Sequence, residues 1–281
     1  MSKADEKFVQ MCKDIIEHGT SSEGEKVRPV WEDTGEPAHT TKLFGVANKY
    51  DLREEFPALT LRKTGIKSAV QEMLWIWQQH SNNIHDLGLH IWDAWADEDG
   101  GLGKTYGYQH GLKFKYPEGE MTQIDHILWT LKNNPFDRHM VATMYNPRDL
   151  HAMNLQPCLH TVTFNVTKDK HGNKVLNCML DQRSNDVLAA NNWNLVQYCV
   201  LTMMLAQVSG MIAGEVLHTI ADAHIYDRHI EQIKELIGRK QYPAPKVHLN
   251  PDITDFYDFK PEDVIIEDYT TGEQMKFPVA V

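Results

Sequence analysis

The chain has 281 residues, 42% hydrophobic and 24% charged, enough for one large core or at most two domains. Its net charge of −11 is spread without long single-sign blocks, which argues against a general nucleic-acid surface. A small anionic ligand stays possible, because a few converging arginines can make a local positive pocket.

No apolar run reaches the roughly 18 residues of a membrane span, so no transmembrane helix is expected. The opening "MSKADEKFVQ" is charged and lacks the apolar core of a secretory signal. Cys12, Cys158, Cys178 and Cys199 show neither CxxC spacing nor disulfide density, which predicts a reduced, cytoplasmic setting. None of the fifteen histidines falls in HExxH or a Cys/His zinc spacing, so no metal is expected.

In chain order, residues from about 4 to 18 read as a helix, followed by a Gly/Ser/Glu-rich loop. "SAVQEMLWIWQQH", 68 to 80, is a helix with apolar residues at 70, 73, 74 and 77. "DEDGGLGKTYG", 97 to 107, is loop-like, and "MTQIDHILWTLKNN", 121 to 134, is an amphipathic helix followed by Pro135. Residues 160 to 184 read as two strands turning around Gly172. "WNLVQYCVLTMMLAQVS", 193 to 209, is apolar nearly all round and suits a buried central helix stopped by Gly210. A short segment at 215 to 220, a helix at about 226 to 238 and a Pro-rich stretch follow. With no repeat or low-complexity linker, one α+β domain over 1–281 is the economical reading.

Three blocks could carry chemistry. "QRSNDVLAANNWN", 182 to 194, places Arg183 beside Ser184, a sensible phosphate clamp, and crowds Asn185, Asp186, Asn191, Asn192 and Asn194 before the apolar helix. Such a crowd is either helix caps or pocket lining. In "ADAHIYDRH", His224 and Tyr226 stand two apart and project to one side of an extended segment. "IWDAWADEDGGLGKTYG" sets Trp92 and Trp95 before a glycine-rich loop ending at Tyr106, either as core or as flat faces for a heterocycle. "LQPCLHTVTFNV" puts Cys158 after a proline at a strand entrance, where a free cysteine taken alone is a buried, inert thiol. Glu72 lies on an otherwise apolar helix, where a carboxyl is costly unless paired or working.

Taken together these blocks resemble the thymidylate synthases over nearly the whole chain. The resemblance rests on "DLREEFPALTLRKTG", "QEMLWIW", "IWDAWADEDGGLGKTYGYQ", "LKNNPFDR", "LQPCLHTVTFNV", "QRSND", "WNLVQY", "DAHIYDRH", "PEDVIIEDY" and "PVAV", in that order. It implies a large mixed, twisted sheet flanked by helices, through which two subunits pack as a homodimer. It also implies methylation of dUMP to dTMP, with 5,10-methylenetetrahydrofolate as carbon donor and reductant. In that family reading Cys158 attacks C6 of the uracil, with Arg183 favouring the thiolate and gripping the phosphate. Tyr106 with ordered water serves the loss of the C5 proton, and Glu72 organises water and moves protons at the O4 edge. Asn194 matches the asparagine that reads the pyrimidine edge, favouring uracil if its neighbours fix the amide. His224 and Tyr226 hold the ribose, Arg28 and Ser184 serve the phosphate, and Arg138 reaches it across the dimer interface. Asp186 takes part in catalysis and binds the pterin, Ile91, Trp92, Trp95 and Leu155 line the folate pocket, and Val281 helps close the site.

Several positions depart from the commonest family pattern. His139 replaces the second arginine of the cross-subunit pair, which predicts a pH-dependent phosphate grip. Leu159 follows the nucleophile in place of histidine, with His160 next; "AANNWN" carries Ala190, Asn192 and Trp193 for glycine, proline and phenylalanine, and Ala221 replaces a glycine. Around the bases a single methyl group is worth about 1–3 kcal/mol. A hydroxymethylase of the same superfamily, with water in place of hydride at the last step, is the alternative; the apolar Trp92 and Leu155 argue against it. A non-catalytic nucleotide- or RNA-binding protein is the third reading, for which Cys158, Glu72, Asn194 and Arg183 together are surplus.

Overall fold

The computed structural model describes residues 2–281. Helix α1 (Lys3–His18), capped by the Ser2 side chain, leads into strands β1 (Thr20–Ser21) and β2 (Thr40–Asp51). Helix α2 (Ile66–Trp77), the short turn α3 (Ile84–Leu87) and α4 (Tyr106–Gly111) follow. The hairpin β3 (Lys113–Tyr116) and β4 (Gly119–Thr122) runs into α5 (Gln123–Asn133), whose first turn is capped by Thr122. Then come β5 (Val141–Thr143), β6 (Leu159–Lys168), β7 (Lys174–Gln182), β8 (Asn185–Asp186), α6 (Asn191–Val208), β9 (Ile212–Tyr226), α7 (Ile230–Ile237) and the hairpin β10 (Lys246–Leu249) with β11 (Val264–Glu267).

The main sheet has the order β1-β2-β9-β7-β6-β5, with β8 also paired to β9. It is mixed: β9 lies parallel to β7 and β8 and antiparallel to β2. Cross-strand partners share a face, so the register shows how the sheet is covered. Asn48, His218, Leu180, Val162 and Ala142 stand level across five strands, and the last four are fully buried. The next row, Lys49, Leu217, Met179, Thr163 and Val141, is exposed or half-buried, with Met179 and Val141 among the exposed apolar side chains.

Helix α6 explains the buried face. Its apolar residues point all round because it is covered on every side, contacting β7, β9 and α2. It ends where Gly210 takes a positive φ of 64°, as its sequence predicts. A second cluster joins Phe8, Met11, Cys12 and Ile15 of α1 to Ile225 of β9 and to Ile233 and Leu236 of α7.

The expected mixed α+β architecture is found, with different boundaries. The segment expected at 215 to 220 is the middle of the 15-residue strand β9, and the helix expected at about 226 to 238 is α7 after a short 3-10 turn at Asp227–His229. The helix expected at 68 to 80 starts at Ile66 and ends at Trp77, with His80 in the left-handed region at φ 53°. Strand β2 was not anticipated at all.

One close approach sets α4. A Cβ on Gly107 would lie 1.8 Å from the Ser81 carbonyl oxygen, and the obstacle is backbone. Gly107→Ala is therefore expected to destabilise the fold by about 1–3 kcal/mol, as overpacking does, read as a lower midpoint in urea. The strain falls on the residue next to Tyr106.

Candidate active site

A cavity of about 840 Å³ opens where the C-terminal end of β7 meets the start of α6. It is lined by Arg28, Glu72, Ile91, Trp92, Trp95, Tyr106, Leu155, Cys158, Arg183, Ser184, Asp186, Asn194, His224 and Tyr226. Only two of the anticipated site residues lie outside it. Arg138 is exposed elsewhere, and Val281 exchanges backbone hydrogen bonds with Val30 at 2.9 Å while Val279 and Ala280 line the cavity.

The cysteine sits at a join between strands. Leu159 pairs with Gln182, and the backbone N–H of Arg183 donates to the Cys158 carbonyl at 2.8 Å, continuing the β6–β7 ladder one step further. The register then slips between Leu159 and Thr161, a bulge of the kind that re-aims side chains beside functional sites. The Cys158 N–H donates to the Tyr106 hydroxyl at 2.9 Å. Arg183 braces the same turn through Nε to the Pro157 carbonyl (3.0 Å) and Nη2 to the Gln156 carbonyl (2.8 Å), bringing Nη2 to 3.9 Å from Sγ. Leu159 is buried and also lines the cavity, whereas His160 is not part of the lining and bonds the Thr161 hydroxyl.

Burial pushes the Cys158 thiol up, with Arg183 and then Arg28 pulling it back and Asp186 pushing it further up. Arg183 pulls in the expected direction, toward the thiolate, and desolvation outweighs both arginines. Cys12, Cys178 and Cys199 are fully enclosed, so Cys158 is the reachable thiol. Tyr106 is driven strongly upward by burial, so its hydroxyl stays neutral.

Glu72 is buried and accepts from three donors: Trp92 Nε1 to Oε1 at 2.6 Å, Trp193 Nε1 to Oε2 at 2.5 Å and Gln197 Nε2 to Oε2 at 2.7 Å. Burial pushes its carboxyl up; the three N–H groups, each able only to donate here, pull it back toward the anion.

Asn194 is held from both sides. Its Oδ1 accepts from Gln182 Nε2 at 3.1 Å, and its Nδ2 donates toward Gln197 Oε1 at 3.4 Å. Gln182 cannot flip, because its Nε2 also donates to the Ser184 carbonyl while its Oε1 accepts from His218 Nε2 at 2.7 Å. Gln197 is pinned likewise by donation to the Ala69 carbonyl. Two backbone carbonyls thus orient the whole chain of amides, leaving Asn194 one further acceptor site and one further N–H. His218 is buried and its pKa pushed down to about 4, so it stays neutral and can serve as the donor. Gln182, Gln197 and His218 were not anticipated. The signal for Gln197 was present, a lone amide in an apolar helix, as for Glu72.

The remaining departures also find places. Asn192 donates to the Pro57 carbonyl and accepts from the Leu59 N–H and the Thr64 hydroxyl, so it ties α6 to the 57–64 segment. His139 bonds Asp137 within its own chain at 2.6 Å and is exposed. Nothing in the structure explains Ala190 or Ala221.

On β9, His224 Nδ1 pairs with Asp222 at 2.8 Å, and Tyr226 packs edge-on against His224, Trp31 and His229. Asp186 Oδ1 accepts the backbone N–H groups of Leu188 and Ala189, and Oδ2 has no protein hydrogen bond among the described residues. The cavity lining combines polar side chains, among them Arg183, Asn194 and His224, with apolar ones, among them Trp92, Trp95, Ile91 and Leu155. Among the described residues no group of three or more His, Cys, Asp and Glu side chains could hold a metal ion. Among the same residues no helix is long and apolar enough to cross a membrane.

Comparison with known proteins gives one result. The family model for thymidylate synthase matches residues 6–281. Thymidylate synthase 1 of Bacillus subtilis strain 168 is 41% identical over 285 aligned residues, covering all of both chains, and the thymidylate synthase of Bacillus phage phi3T is 40% identical over the same span. The solved structure of thermostable thymidylate synthase A from Bacillus subtilis superposes with a TM-score of 0.91 at 40% identity, covering 99% of each chain.

Proposed function

The chain belongs to the thymidylate synthase family of methyltransferases, and from that premise we propose that it converts dUMP to dTMP through covalent addition of Cys158 to the uracil ring. The observation that carries this reading is the oriented amide of Asn194 in the cavity that Cys158 also lines. Its free acceptor and free N–H complement uracil N3–H and O4, and cytosine presents the reverse pattern.

In this mechanism the Cys158 thiolate adds to C6, and the electron pair of the C5–C6 bond moves onto the C5–C4–O4 system. Arg183, close to Sγ, stabilises the thiolate that desolvation resists, and C5 becomes the nucleophile. Methylenetetrahydrofolate supplies the one-carbon unit and then the hydride. The pocket fits such a co-substrate: Trp92, Trp95, Ile91 and Leu155 offer apolar faces, and Asp186 keeps an unpaired carboxylate oxygen for pterin N–H groups. Tyr106 and Glu72 move protons at C5 and O4, Glu72 working from its carboxylate form. Arg28, Arg183 and Ser184 receive the phosphate, and His224 and Tyr226 the ribose.

The uncovered row of Leu217, Met179 and Val141 supports a homodimer packed sheet to sheet, with Arg138 serving the partner's phosphate. The C-terminal stretch through Val281 covers the cavity beside Val30. Trp92, only 9% exposed, and Leu155 keep the reacting carbon dry, which favours hydride over water and so methylation over hydroxymethylation.

The test is an assay of the protein with dUMP and methylenetetrahydrofolate, following dihydrofolate absorbance. Dihydrofolate in step with dTMP is the expected result, because only hydride transfer oxidises the folate. Formation of 5-hydroxymethyl-dUMP without dihydrofolate would overturn it in favour of the hydroxymethylase.

A further inference from the structure

A carboxylate offers about four acceptor sites, two on each oxygen. On Glu72, Oε2 has both filled, by Trp193 Nε1 at 2.5 Å and Gln197 Nε2 at 2.7 Å, whereas Oε1 has one filled, by Trp92 Nε1. Gln197 holds its place through the Ala69 carbonyl. Trp193 stands in the first turn of α6 with its ring against Gly65, 3.4 Å from where a Cβ there would lie. The commonest family pattern has phenylalanine at position 193, a smaller aromatic ring with no N–H to give.

Resting on the reading of Glu72 as the proton-moving carboxylate, we infer that Trp193 is a positioning residue that saturates Oε2 and so makes Oε1 the single oxygen able to take a proton or bind a water. Trp193 thereby does two things that a phenyl ring cannot. It holds the carboxyl plane so that one chosen oxygen stays open, and it favours the anion in a site whose burial opposes it. The titratable groups facing this carboxyl are Tyr106 from α4 and Tyr198 from α6, both held neutral by burial, with Cys158 beyond Tyr106.

Trp193→Phe keeps an aromatic ring at the position and removes the N–H donor together with the five-membered part of the indole. The acid limb of its kcat profile is expected to move up by about one pH unit relative to the parent, so that the loss on the acid side exceeds the loss on the plateau about tenfold. The KM for dUMP should change far less. A loss equal at every pH, or an unmoved acid limb, would reduce Trp193 to packing and overturn the inference.

A second readout needs no turnover and does not use Trp193→Phe. In the parent protein labelled with 15N at the indoles, the Trp193 N–H resonance should lie downfield, titrate with Glu72 and lose that titration in Glu72→Gln. A resonance indifferent to both pH and Glu72→Gln overturns the inference as well. If the parent makes no dihydrofolate, the reading of the reaction fails, while the indole titration still decides for or against Trp193.

Discussion

Cys158→Ser is expected to lower turnover of dUMP by about 10³- to 10⁵-fold while leaving nucleotide binding within a few-fold of the parent. The change is nearly isosteric, and the features that place residue 158 belong to the backbone: its N–H on Tyr106 and its carbonyl under the Arg183 N–H. What is lost is the anion. Burial already pushes the thiol up against the pull of two arginines, and a hydroxyl starts several pH units higher, so the same surroundings cannot ionise it. The same balance predicts that alkylation of the parent rises with pH and falls on Cys158, since the other three cysteines are enclosed. Turnover by Cys158→Ser within tenfold of the parent would remove the nucleophile from the mechanism.

The second large effect is expected at Asn194. In Asn194→Asp the kcat/KM for dUMP should fall by at least about 10³-fold, with dCMP becoming the better-bound nucleotide. The carboxylate loses the N–H that faces uracil O4 and also confronts Gln197 Oε1, whose amide is held by the Ala69 carbonyl and cannot turn over to help. Competition binding of the two nucleotides, measured beside the rates, checks the prediction. Turnover of dUMP within tenfold of the parent would mean that the base is read by other groups.

These residues were legible in the sequence to different degrees, for physical reasons. Helices α1, α2 and α5 and the pair β6–β7 could be read because their periodicity or alternation is set by one nearby apolar surface, and α6 because its apolar run is too long for a strand. Strand β2 could not. Its segment "TTKLFGVANKYD" mixes polar and apolar residues on both faces, and it is a strand because β9, some 170 positions later, supplies its hydrogen bonds. Strand β9 looked short because Gly214, Ala221 and Asp222 weaken its pattern, yet β2, β7 and β8 bond it along its length. Within the site, residues that meet substrate directly stood in motifs that the family resemblance supplied. The residues that orient them, Gln182, Gln197 and His218, lie on β7, α6 and β9, and their relation is one of orientation that spacing along a chain does not encode.

The parallel pairing of β7 with β9 has a consequence for how this activity arises during folding. Between these two neighbours the chain runs through β8 and all of α6, so Gln182 meets His218 only after that long crossover has closed. Glu72, Asn194 and His224 each arrive on a different element and Cys158 just ahead of β6, all far apart in sequence. High contact order of this kind makes assembly slow and late. Catalytic competence is therefore a property of the completed sheet: a partly zipped chain is not a weaker enzyme but no enzyme.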